Sequence, residues 1–93
     1  MTKQTERTNE NELKMAFLPS RIKEYEERYG ISIFSVFAGL EEQQIKFTDL
    51  FNLVGVLANT NDEELINKYF MEKTFSKVMS EVANGLTKNG FLR

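Results

Sequence analysis

The chain has 93 residues, 41% of them apolar and 28% charged, with 12 Lys and Arg against 14 Asp and Glu for a formal net charge of -2. That length holds one domain, and the near-neutral balance argues against a surface built on phosphate contacts. Cysteine and histidine are both absent, which removes disulfides, thiolate metal sites and Cys nucleophiles, along with the commonest metal ligand and general base.

The opening stretch, MTKQTERTNENE, has no apolar residue after Met1. It lacks a signal-peptide core and reads, through residue 14, as a flexible polar tail ahead of a single helical domain over residues 15–93. No apolar run approaches the length of a membrane span, so the expectation is a soluble cytoplasmic protein. Leu13, Met15 and Phe17 alternate with other residues, a pattern that fits a short strand, an extended lead-in or an early start to the first helix.

Pro19 and Ser20 are expected to start that helix, proline as a first-turn residue and serine as a cap. Ile22, Tyr25 and Tyr29 follow at helical spacing, and Gly30 suits a left-handed stop. Ser32 is placed to cap a short second helix holding Phe34, Val36, Phe37 and Leu40. Gly39 weakens its end, and Glu41–Gln44 reads as a polar link. Thr48 and Asp49 are expected to open a third helix. Its residues Leu50, Phe51, Leu53, Val54, Val56, Leu57 and Ala58 are apolar nearly all round, the mark of a helix buried in a bundle. Gly55 within it permits the close approach of a neighbour.

In ANTNDEEL, Asn61 and Glu64 have the spacing of a capping box, with acidic residues loading the first turn. A helical pattern then runs from Leu65 to Leu86, and a bend between Phe70 and Thr74 would divide it in two. At the end, Gly90 reads as a stop residue that lets Phe91 pack back on Leu86. The sum is an all-α fold, a small bundle of four to five helices.

Chemistry is sparse in this pattern. The carboxylate pairs Glu26-Glu27, Glu41-Glu42 and Glu63-Glu64 lie in polar segments, where solvated charge is expected. The glycines are spread singly, so no phosphate-binding loop is present, and NTNDEE lacks the spacing and central glycine of an EF-hand. No catalytic, cofactor-binding or metal-binding residue is expected. A helix-turn-helix DNA reader would need polar and basic side chains on an exposed helix face, and the third helix is too apolar for that. The surplus lies in aromatics, eight Phe and three Tyr. Most of them fill a core, yet a domain this small cannot bury them all, and exposed apolar patches mark protein contacts. Tyr25, Tyr29, Phe34, Phe37, Phe70, Phe91 and Leu92 are the candidate partner-binding residues.

The order of features carries a resemblance. SRIKEYEERYGISIFSVFAGL gives an aromatic-bearing helix, a Gly-Ile-Ser turn and a short apolar helix. FTDLFNLVGVLANTNDEELINKYF gives a buried helix and an acid-capped one, and FSKVMSEVANGLTKNGFLR closes on Gly-Phe-Leu. Over residues 17–93 this succession resembles the small tail assembly chaperones of long-tailed, siphovirus-type bacteriophages and prophages. The polar tail is a departure, because many of those relatives begin with a strand-like segment nearer the start. The resemblance implies a non-enzymatic protein of the bacterial host cytoplasm, absent from the mature virion, that coats amphipathic helical stretches of the tape measure protein until tube subunits polymerise around it. It further implies self-association, possible contact with the tail tube protein, and no nucleic-acid or membrane partner. It also implies a longer product made by ribosomal frameshifting, for which Thr87-Lys88-Asn89 can supply a slippery ACA-AAA-AAC run. The alternative function is a small regulatory or inhibitory protein that binds a single host or phage protein, and the third is a DNA-binding regulator.

Overall fold

Proline decides where the first helix begins. In the computed structural model, which describes residues 13–88, α1 spans Pro19–Tyr29 with Pro19 in its first turn. Leu18 is its N-cap, extended at φ -104° and ψ 145°, as the residue before a proline must be. Ser20 therefore lies inside the helix and caps nothing. The start is secured by main-chain bonds from Arg21 and Ile22 to the Leu18 carbonyl at 3.0 and 3.1 Å. Gly30 stops the helix at φ 66° and donates its N–H to the Glu26 carbonyl at 2.8 Å, a left-handed conformation open to glycine at little cost.

Ser32 caps α2, Ile33–Glu42, by accepting from the Phe34 N–H at 3.2 Å. This helix runs past Gly39 and takes in Glu41 and Glu42, which the sequence pattern assigns to a link. The stop is Gln43, left-handed at φ 57°, where the Gln43 and Gln44 N–H groups return to Leu40 and Gly39. A left-handed non-glycine residue costs roughly 1–2 kcal/mol, and glycine's extra freedom in the unfolded chain offsets about half of that gain. Gln43→Gly is therefore expected to stabilise the protein by about 0.5–1 kcal/mol, read as a rise in Tm of about 3–6 °C in a thermal melt.

α3, Phe47–Ala58, starts one residue before the expected Thr48. Lys46 is its N-cap and gives no side-chain bond, while Asp49 sits in the first turn. Leu50, Leu53, Val54, Val56 and Leu57 are all buried, as the all-round apolar pattern requires. α1 and α4 (Glu63–Met71) both pack on α3, α2 packs on α1, and α2 also packs on α5 (Phe75–Lys88). A Cβ on Gly55 would stand 3.1 Å from Cδ1 of Ile66 and 3.4 Å from the Thr60 carbonyl, so this glycine sets how closely α4 approaches.

The cap of α4 lies one residue beyond the expected Asn61. Asp62 accepts from the Glu64 N–H at 3.0 Å, while Thr60 accepts from the Asp62 N–H at 3.0 Å. The Asp62 carboxylate takes the N–H two residues on, an ordinary N-cap contact. The bend in the long C-terminal pattern is real: α4 ends at Met71, and Thr74 starts α5 by accepting from the Lys77 N–H at 3.1 Å.

One buried cluster draws on all five helices, from Tyr25 in α1 and Val36 in α2 to Leu53 in α3, Ile66 in α4 and Leu86 in α5. The segment ahead of α1 is the extended lead-in, neither strand nor helix. Leu13, Met15 and Phe17 rest against the core, and the Ala16 N–H donates to the Leu57 carbonyl at 2.9 Å. The polar tail up to residue 12, and the C-terminal stretch holding Gly90, Phe91 and Leu92, lie outside the described residues.

Candidate partner-binding surface

Four phenylalanine rings meet where three helix ends converge. Phe47 opens α3 and Phe51 lies one turn later on the same side, since residues four apart are neighbours on a helix. Phe70 comes from the last turn of α4, and Phe75 is the first residue of α5. The break between α4 and α5 brings the last two rings round to face the first two. Phe47 is the hub, with ring centroids 5.9 Å from Phe51, 5.1 Å from Phe70 and 6.0 Å from Phe75. Phe51 and Phe70 stack at 5.8 Å with 12° between their planes. Tyr69 meets the edge of Phe70 at 5.7 Å.

These rings sit at the ends of their helices, where the bundle cannot close over them. Phe47 is 51% exposed and Phe75 41%, and Met71, next to Phe70, is 85% exposed. Ring pairs at 4.5–7 Å hold one another in place, so the patch is preorganised and presents apolar surface without needing to fold on a partner. It is a platform, well suited to an apolar helix stripe.

Beside the patch lies a polar group of three. The Tyr69 hydroxyl donates to Oε1 of Glu81 at 2.6 Å, and Nζ of Lys73 pairs with Oε2 of Glu81 at 3.4 Å. The Lys73 ammonium also stands 5.4 Å from the Tyr69 ring centroid. The hydrogen bond from Tyr69 holds the Glu81 carboxyl below its ordinary range, against the opposing effect of burial and with help from Lys73 and Lys77. Burial first, and Glu81 second, push the Tyr69 phenol above its own range.

A carboxylate depressed in the folded state adds stability that is complete above the unfolded value, about 4.3, and is lost as pH falls through the folded one. Tyr69→Phe removes the largest cause. Melts between pH 3 and 6 should therefore show a shallower fall of Tm with acid than the parent shows. At pH 7 the loss should be about 1 kcal/mol, because the Glu81 side chain is 34% exposed and water replaces part of the bond.

The residues expected from the sequence to touch a partner are dispersed. Tyr25 is wholly buried, and its hydroxyl donates to the Asp49 carbonyl at 3.2 Å; it serves the interior. Tyr29 is half-buried against Tyr25, with ring centroids 5.4 Å apart and the Arg28 guanidinium 5.9 Å from its ring. Phe37 packs on the core. Phe34 is 66% exposed on α2 and makes no ring contact among the described residues. Phe70 joins the patch, while Phe91 and Leu92 lie outside the described residues. Phe47, Phe51 and Phe75 are the members that the candidate set lacks. The pointers to them were the four-residue spacing of Phe47 and Phe51 at a helix start, and a Phe on either side of a helix break.

Two hollows lie elsewhere on the surface: a shallow cleft of about 80 Å³ between Tyr29, Asn52 and Ile66, and a wider furrow of about 520 Å³ lined by Met15, Phe17, Glu81, Asn84, Gly85 and Lys88. Among the described residues the hydrogen-bonded tyrosines Tyr25 and Tyr69 are the buried side chains that carry a polar group, and no three acidic side chains are grouped to hold a metal ion. No described helix is long and apolar enough to cross a membrane. Comparison with protein-family models, with curated proteins and with solved structures finds no match.

Proposed function

We propose that this chain is a protein-binding module whose aromatic patch takes up amphipathic helical segments of a partner, and that it acts as a phage tail assembly chaperone keeping the tape measure protein soluble. The observation that carries the binding reading is Phe47: half-exposed, yet fixed by three neighbouring rings. Protein-binding hot spots are built from rigid aromatic side chains of this kind, because little side-chain freedom is lost when they are covered.

The finer assignment rests on the resemblance of residues 17–93 to tail assembly chaperones, and the chemistry is compatible with it. A tape measure protein is a long helical ligand with repeated apolar stripes. A small module with one apolar platform gains strength on such a ligand through many copies side by side rather than through one deep pocket. Self-association along the ligand and contact with the tail tube protein belong to the same proposal.

Co-expression with the long tape measure protein tests it. The soluble fraction of that protein should rise several-fold in the presence of this chain, and an unchanged fraction rejects the chaperone assignment. A gene position between the tail tube and tape measure genes supports the same assignment. Tight one-to-one capture of a different host or phage protein would instead favour a regulator. Binding to DNA that weakens steeply with added salt would favour a DNA-binding role.

A further inference from the structure

The aromatic patch is apolar at its centre and charged at its edge, and the charges at the edge do not balance. On one side stands Lys46, the residue ahead of Phe47. It is exposed, gives no side-chain bond to the helix it precedes, and forms no ion pair among the described residues. On the other side, beyond Tyr69 and Phe70, two ammoniums share one carboxylate. Lys73 pairs with Glu81 at 3.4 Å. Lys77, four residues before Glu81 on α5, is exposed, and its charge acts on the same carboxylate without pairing with it. Lys68 and Glu72, at the break between α4 and α5, pair with each other at 4.0 Å and cancel. Asp49 lies two residues from both Phe47 and Phe51, so it is on another side of α3, where its charge acts on the Tyr25 phenol of α1. The whole chain has a formal net charge of -2, so the positive edge is a local property and not the average of the surface.

We infer that the patch selects helices whose apolar stripe is flanked by carboxylates, an acidic amphipathic helix in preference to a basic or neutral one. The inference rests on the reading of the patch as a helix platform and adds the chemistry of what the platform accepts. A helix laid on the rings sets the residues beside its stripe over Lys46 on one side and over Lys73 and Lys77 on the other. Carboxylates at those places meet ammoniums whose charge the chain itself leaves in surplus. Lysines or arginines there meet like charge, and Glu81, which could receive them, is already engaged by Tyr69 and Lys73.

The two parts of the surface divide the work. The apolar centre supplies the hold. The charges at the edge stay in water and are screened by salt, so they act on the choice of partner and the rate of encounter more than on affinity. A positive edge around aromatic rings also raises nucleic acid as an occupant. Bases need open ring faces to stack on, and Phe51 and Phe70 are already stacked on each other, so the helix is the better match.

Three labelled helical peptides of about 18 residues, titrated with the full chain, test the inference. All carry the same leucine stripe, and the positions flanking it are Glu, Gln or Lys throughout. Fluorescence anisotropy at about 20 mM salt should rank them in that order, with the Glu peptide at least about fivefold tighter than the Lys peptide. At about 0.5 M salt the difference should fall below about twofold. In the double variant Lys46→Glu and Lys77→Glu, with circular dichroism like the parent's, the order should reverse. Equal or tighter binding of the Lys peptide by the parent overturns the inference and leaves the helix platform standing. A folded double variant that still prefers the Glu peptide overturns it as well, because the selection then lies elsewhere. Binding of none of the three rejects the platform and this inference with it. A single-stranded oligonucleotide that displaces the Glu peptide at lower concentration than the peptide's own unlabelled form overturns it in favour of nucleic acid. Should the double variant not fold, the single variants Lys46→Gln and Lys77→Gln take its place: each should reduce the Glu-over-Lys preference about twofold, and an unchanged preference in both overturns the inference.

Discussion

Leu53→Ala should lose about 3–4 kcal/mol of stability and melt roughly 12–25 °C below the parent. Leu53 is wholly buried in α3, and α1 and α4 both pack on this helix. Truncation there removes transfer energy and leaves a cavity that the neighbouring helices can only partly close, because moving either of them disturbs its own contacts. A domain of this size has on the order of 5–10 kcal/mol in total, so one such change takes a large fraction of it. Leu18→Ala is the matched control: the same atoms are removed from a side chain 48% exposed, and the expected loss is within about 0.5 kcal/mol. Urea titration of the two variants checks the contrast. Equal midpoints for both would mean that α3 is not the centre of the core.

The features that were legible in the sequence are those that local chemistry dictates. Gly30 stops α1 because a left-handed turn favours glycine, and Ser32 caps α2 because its hydroxyl reaches the Phe34 N–H. The apolar circumference of α3 has only one stable place, the interior. The boundaries that slipped are those where tertiary packing overrules propensity. α2 continues through Gly39, which lies against Ile45, where a Cβ would stand 3.4 Å from that residue. The turn is left to Gln43, a residue with no intrinsic preference for the left-handed region.

The candidate surface was harder to see. A phenylalanine at helical spacing is core or surface according to how far along its helix it falls relative to the packed neighbours, and no local pattern records that. Tyr25 and Phe34 show both sides of the problem. Each is an aromatic on a short amphipathic helix, yet one is wholly buried beneath α3 and the other is 66% exposed on α2. The patch around Phe47 exists only because the start of α3, the end of α4 and the start of α5 come together, and such convergence belongs to the fold rather than to any single segment.

Phe47→Asp should cut partner binding by at least about 30-fold while costing little stability. The two effects separate because they draw on different halves of the ring. The buried half touches Phe51, Phe70 and Phe75, and its loss costs about 1–2 kcal/mol in ring pairs and covered area. An aspartate in the first turn of α3 returns about 0.3–1 kcal/mol, since Lys46 leaves that helix start without a side-chain cap. The net cost, about 1 kcal/mol, amounts to a Tm shift of about 4–8 °C. The exposed half is the centre of the proposed platform, and a charge placed there must be desolvated whenever an apolar stripe docks, which adds a penalty to the lost contact. Phe34→Asp supplies the comparison, because it puts the same charge on a ring that is more exposed but lies outside the cluster; binding should change by less than about threefold. Both variants are to be tested by the soluble yield of co-expressed tape measure protein, alongside a melt of each purified chain. Loss of solubilisation by Phe47→Asp alone, with both chains folded, places the contact on the patch. If Phe34→Asp is the variant that fails and Phe47→Asp performs like the parent, the partner docks on α2 and the role proposed for the phenylalanine cluster is wrong.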